Sequence, residues 1–78
     1  MKILIIDDEK DIALSIKEYL KPNGIQCEAA YTNKDALEKI HHFDYDCILL
    51  DLNLPDGDGF DILSELKRNH KTDGVIVI

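Results

Sequence analysis

An α/β domain built on an open parallel sheet is the fold class this sequence predicts, and three observations carry the prediction. Short apolar runs recur: Ile3-Leu4-Ile5-Ile6, Cys47-Ile48-Leu49-Leu50 and Val75-Ile76-Val77-Ile78. Runs of about four apolar residues bounded by polar ones mark strands buried on both faces, as in parallel sheets covered by helices. Strand and helix patterns alternate three times along the chain, which calls for right-handed crossovers between parallel strands. Two of the runs stop at carboxylates, Asp7-Asp8 and Asp51, and the carboxyl edge of such a sheet is where open α/β folds hold their ligands.

The first strand spans about Lys2 to Ile6 and leads into a helix over about Lys10 to Leu20, whose Ile12, Ala13, Ile16, Tyr19 and Leu20 recur at helical spacing on one side. Pro22 and Gly24 end that helix. Ile25 to Ala30 alternates apolar and polar at first, as a strand nearer the sheet edge does. Thr32 and Asp35 resemble a capping box, and Ala36, Leu37 and Ile40 form the buried stripe of a second helix closed by His41 and His42. After Asp44-Tyr45-Asp46 comes the third strand. The turn-rich Leu54-Pro55-Asp56-Gly57-Asp58-Gly59 follows, and then a third helix carrying Phe60, Ile62, Leu63 and Leu66. Asn69 to Asp73 is a polar connection, and Gly74 to Ile78 is a fourth strand.

With 78 residues the chain makes one small domain with a thin core. Hydrophobic content of 45% against 32% charged is ordinary for a soluble globular protein. No apolar run approaches the roughly 20 residues needed to span a bilayer, and the start lacks the apolar stretch of a signal peptide, so a cytoplasmic location and no membrane partner are expected. Sixteen acidic against nine basic side chains give a net charge of -7, which disfavours phosphate backbones and argues against direct nucleic-acid binding. Cys27 and Cys47 fall in the second and third strands. If those strands flank the first, the two lie roughly 10 Å apart, beyond the reach of a disulfide.

If the first and third strands are parallel neighbours, Asp7, Asp8 and Asp51 converge. Carboxylates that close repel one another and call for a positive charge among them. A hard divalent cation such as Mg²⁺, which takes one or two carboxylates and keeps water or phosphate on its other positions, is the natural candidate. An Asp-Asp pair after a strand is by itself more often a capping feature. Asp51 at the matching end of another interior run, with Asn53, Pro55 and the Gly57/Gly59 turn behind it, shifts the balance. Glu9 suits the first turn of the first helix. His41, His42 and His70 are read as solvated surface residues.

The pattern Ile-Ile-Asp-Asp-Glu near the start, with Leu-Leu-Asp-Leu-Asn-Leu-Pro-Asp-Gly-Asp-Gly-Phe over Leu49 to Phe60, resembles the receiver domain of bacterial two-component response regulators, in one register from Lys2 to Ile78. The resemblance implies a flavodoxin-like doubly wound parallel sheet of order 2-1-3-4-5, of which this chain holds the first four strands and three helices. It implies Asp51 as phosphoacceptor and Asp8 as direct metal ligand. Asp7 becomes its partner in the acidic pocket, through water, and the backbone carbonyl of Asn53 a further ligand. The implied cofactor is Mg²⁺, with Mn²⁺ as a substitute. The implied phosphodonor is a sensor histidine kinase or a small molecule. On this reading the chain is a substrate of phosphotransfer rather than an enzyme, although metal-assisted self-phosphorylation fits the same site.

The family pattern continues beyond the fourth strand to a switch Ser or Thr and an essential Lys, so residues 1–78 are expected to be a receiver domain incomplete at its C-terminus. A bare fourth strand invites pairing with another chain, and self-association through it, or segment exchange with a second copy, is expected. The competing reading is a phosphorylation-independent dimerisation or scaffold fragment with a lost switch. A small phosphohydrolase ranks last, because Asp51-Leu52-Asn53 offers no second acid two positions on.

Overall fold

In a computed structural model that describes residues 1–51, 53–54, 57–68 and 74–77, the chain forms four parallel strands flanked by three helices. In chain order these are β1 (Lys2–Ile6), α1 (Lys10–Leu20), a 3₁₀ turn (Lys21–Asn23), β2 (Gln26–Ala30), α2 (Asn33–His42) and β3 (Cys47–Leu50). They are followed by β4 (Asn53–Leu54), β5 (Gly57–Asp58), α3 (Gly59–Arg68) and β6 (Val75–Val77). The main sheet has the order β2-β1-β3-β6, and all three pairings are parallel. The four strands therefore occupy the positions expected of the first four strands of a 2-1-3-4-5 sheet.

Because side chains alternate across a strand, β1 and β3 each split their apolar residues between two layers. Leu4, Ile6, Ile48 and Leu50 join Ala36 and Ile40 of α2 and Ile62 and Leu66 of α3 in one buried cluster. Ile3, Ile5, Cys47 and Leu49 face α1, through Ala13, Ile16 and Leu20. Among the described helices, α1 alone covers that second layer.

The helix ends follow local chemistry. The Thr32 side chain caps α2 by accepting from the Asp35 amide at 3.1 Å. The 3₁₀ turn that extends α1 closes at Gly24, whose φ of 73° is left-handed and whose amide donates to the Lys21 carbonyl. Gly74 (φ 80°) leads into β6, and a side chain there would collide with the Asp46 carbonyl. At the start of the sheet, the Lys2 amide donates to Asp46 Oδ2 at 2.7 Å. The Lys2 ammonium lies near the rings of Phe43 and Tyr45 and pairs with Glu28 at 3.1 Å.

Four expectations need correction. Ile12 and Tyr19 are not part of the buried stripe of α1; they are 44% and 77% exposed, because the layer beneath is narrow enough for Ala13, Ile16 and Leu20 to span it. Glu9 is not in the first turn but is the N-cap residue of α1, with extended backbone; Asp11 is the acidic residue of that turn. The segment after Asp51 is not only a turn: Asn53 pairs with Asp58 and Leu54 with Gly57 in a small antiparallel ladder. Ile25 and Gly74 lie just outside β2 and β6. Pro55, the Asn69 to Asp73 connection with His70, and Ile78 lie outside the described residues.

Candidate acidic site

Pairing of β1 with β3 sets Ile6 opposite Leu50, and each strand is followed at once by aspartate. The backbone carries the alignment past the strand ends: the Asp51 amide donates to the Ile6 carbonyl at 2.9 Å, and the Asp7 amide to the Ala30 carbonyl at 3.0 Å. Asp7 and Asp51 are thereby held at neighbouring strand tips, with Asp8 one residue beyond Asp7. Carboxylate oxygens of Asp7, Asp8 and Asp51 lie within 4.8 Å of one another.

The three differ in surroundings. Asp7 is 9% exposed, and one of its oxygens accepts from the Glu9 amide at 2.9 Å. That bond fixes the carboxylate and turns the chain into α1. Asp8 is exposed and Asp51 half-buried, so the cluster opens to solvent from a rigid base. Asn53 begins β4 two residues after Asp51. A cleft of about 360 Å³ adjoins the site and is lined by Ile5, Ile12, Ile16 and Leu49 together with Asp7 and Asp51. Two larger grooves, of about 440 and 450 Å³, run between α1 and β2 and between β2 and α2, and none of the three aspartates lines either.

Three hard oxygen donors this closely spaced suit one divalent cation, whose ligands sit about 2 Å from a Mg²⁺ ion. A softer metal is not favoured by this donor set. The cysteines are elsewhere: Cys27 and Cys47 flank Ile3 on its two sides and both are free. Burial pushes the Cys27 thiol up, an effect Lys17 partly offsets. His41 and His42 are exposed at the end of α2, with His41 Nδ1 3.7 Å from Glu65.

Sequence reasoning found the three carboxylates but not what surrounds them. The Asp7 to Glu9 hydrogen bond had a signal, since an Asp two residues before an amide favours a turn of this kind. Lys10, next in sequence, reaches over the Tyr31 ring at 5.3 Å from its centroid; no local pattern announces that contact.

A family model of the response regulator receiver domain matches residues 3–78. The chain is 39% identical over 66 residues to the luminescence regulatory protein LuxO of Vibrio campbellii, covering 85% of this chain and 15% of that protein. A two-component response regulator from Clostridium difficile superimposes with a TM-score of 0.89 at 38% identity, over 99% of this chain and 63% of that one. The response regulator TrrA from Thermotoga maritima, solved in complex with Mg²⁺-BeF, superimposes with a TM-score of 0.87 at 30% identity, over 97% of this chain and 66% of that one. The chain thus spans less than two thirds of the solved chains named here and a small part of the curated relative.

Proposed function

This chain belongs to the family of response regulator receiver domains, and on that premise we propose that it is a Mg²⁺-dependent phosphoacceptor module of two-component signal transduction, with Asp51 receiving the phosphoryl group. The supporting observation is the approach of Asp7, Asp8 and Asp51 oxygens to within 4.8 Å at the ends of two parallel neighbours. The Mg²⁺-BeF complex of TrrA supports the choice of cation.

An Asp51 oxygen attacks phosphorus, the new O–P bond forms, and the bond to the donor breaks with its electron pair leaving on the donor. The donor is the phosphohistidine of a sensor kinase or a small acyl phosphate. A divalent cation held at this site would offset the negative charge shared by Asp51 and the incoming phosphoryl group. Asp8 and Asp51 would hold the cation directly, together with the Asn53 backbone carbonyl, and Mn²⁺ would be an acceptable substitute. Asp7, with one oxygen engaged by the Glu9 amide, would act on the cation through water. The module accepts a group rather than turning over a substrate, and self-phosphorylation from a small donor follows from the same chemistry. No described helix is long and apolar enough to cross a membrane.

Incubation with Mg²⁺ and acetyl phosphate or beryllofluoride tests this: a modification is expected on the wild type and absent from Asp51→Asn. A phosphorylation-independent dimerisation or scaffold role is the second reading. One observation favours it: among the described residues, β6 pairs with a strand on one side only. Sedimentation of the 78 residues expressed by themselves is expected to give a concentration-dependent dimer through β6 or by segment exchange. A wild type that dimerises yet resists modification would leave the scaffold role.

A further inference from the structure

The cation next to the acidic trio in sequence takes no part in neutralising it. Lys10 follows Asp7-Asp8-Glu9 directly and opens α1. Yet its ammonium lies over the ring of Tyr31, 5.3 Å from the centroid, and among the described residues it forms no ion pair with a carboxylate. Tyr31 follows β2, the strand neighbouring β1, and its ring also packs against the Ile3, Ile5 and Ala13 cluster. It is therefore anchored to the sheet at the same edge as the acidic residues.

From this geometry we infer that Tyr31 is a positioning residue that keeps the Lys10 ammonium out of the Asp7, Asp8 and Asp51 notch, so that this ammonium does not compete there with an external divalent cation. A lysine on a four-carbon stem is a mobile point charge, and a cluster of carboxylates within 4.8 Å is a strong attractor for it. Two arrangements compete: ammonium on the ring, or ammonium among the carboxylates. The second sets the ammonium against the metal, whose apparent affinity falls with the fraction of molecules in that arrangement. The face of an aromatic ring attracts ammonium through its quadrupole, and it does so without supplying a formal charge that would itself compete for the cation.

This inference rests on the metal site proposed above, and calorimetric titration of the full chain with Mg²⁺ separates the two. Wild type and Asp51→Asn establish the site itself; uptake by the wild type that Asp51→Asn lacks secures it, and no uptake by the wild type overturns both proposals. With uptake secured, Tyr31→Leu, which keeps apolar bulk but loses the ring, is expected to weaken Mg²⁺ binding about two- to fivefold, as loss of an exposed cation–π contact implies. Tyr31→Phe, which keeps the ring, is expected to bind as the wild type does. In a Lys10→Met background, Tyr31→Leu is expected to change the affinity no further. Equal affinity of Tyr31→Leu and wild type would overturn the inference, as would a Tyr31→Leu loss that persists in Lys10→Met. Thermal melts of each variant confirm that the comparison is between folded proteins.

Discussion

The amide of Asp51 donates to the carbonyl of Ile6 at 2.9 Å, so the residue proposed to carry the phosphoryl group is hydrogen-bonded to the last residue of the strand that precedes Asp7 and Asp8. The bond extends the β1–β3 pairing one step beyond Leu50. It makes the separation of the carboxylates a property of the sheet rather than of a loop.

Crowded like charges oppose the folded state in the absence of metal, so metal affinity and stability should move in opposite directions on removal of one acid. Asp8→Asn is expected to lower Mg²⁺ affinity at least about tenfold, since even outer partners of a metal site count for that much. It should leave the metal-free melting temperature unchanged or higher. Calorimetry and thermal melts with and without EDTA check both halves.

Leu50 is fully buried between β3 and its covering helices, whereas Tyr19 is 77% exposed. Leu50→Ala is expected to cost about 2–5 kcal/mol, a large share of a typical stability of about 5–15 kcal/mol. Tyr19→Ala, away from any buried contact, should fall within about 0.5 kcal/mol of the wild type. Urea denaturation followed by circular dichroism measures the contrast.

Among the described residues Gly24 and Gly74 hold positive φ, and of these two only Gly74 is crowded. Gly24 has nothing within 4 Å of a built side chain, while Gly74 would meet the Asp46 carbonyl. Gly24→Ala is expected to cost about 1–2 kcal/mol from backbone strain. Gly74→Ala should cost more, because β6 must also shift away from the entry to β3. The same denaturation series ranks the two.

Tyr45 should govern stability at alkaline pH. Its side chain is half-buried and its hydroxyl oxygen is shut off from solvent. Burial, and secondarily the negative charge of Glu28, push its pKa from 10.0 up to about 12. The folded state then holds the phenol proton where the unfolded chain has lost it. The stabilisation is complete below pH 10 and drains away as pH rises toward 12. At the acid end the sign reverses for Glu28, which hydrogen bonding from Lys2 holds below 4.5. Its contribution is present above the ordinary carboxylate range and lost as pH falls through its lowered value. In a stability profile, Tyr45→Phe should flatten the alkaline limb and leave the acid limb intact, whereas Glu28→Gln should flatten the acid limb and also shallow the alkaline one, because it removes a charge that helps raise the Tyr45 pKa.

The parts of this molecule legible in the sequence are those set by short-range pattern. β1 and β3 are continuous apolar runs with charge at both ends, and their limits emerge as expected. The convergence of Asp7, Asp8 and Asp51 follows once those runs are aligned. The α2 cap was legible because Thr32 and Asp35 are a local pair. Ile12 and Tyr19 were misjudged because helical spacing marks a stripe but not its width, which is fixed by how much sheet lies beneath. The short β4–β5 ladder hid inside a turn-forming composition, and Lys10 over Tyr31 joins residues that no local pattern links.

The strand order also has a temporal side. β1 is made first and lies at the interior of the sheet, yet its neighbours are β2 and β3, and the Lys2 amide finds its partner 44 residues later, in Asp46. During synthesis β1 can meet β2 first and β3 only after residue 50 has been made, and closing the more distant contact is slower. The acidic notch needs the residue just after β3, so a nascent chain arrested before Asp51 emerges would lack the cation site proposed for it.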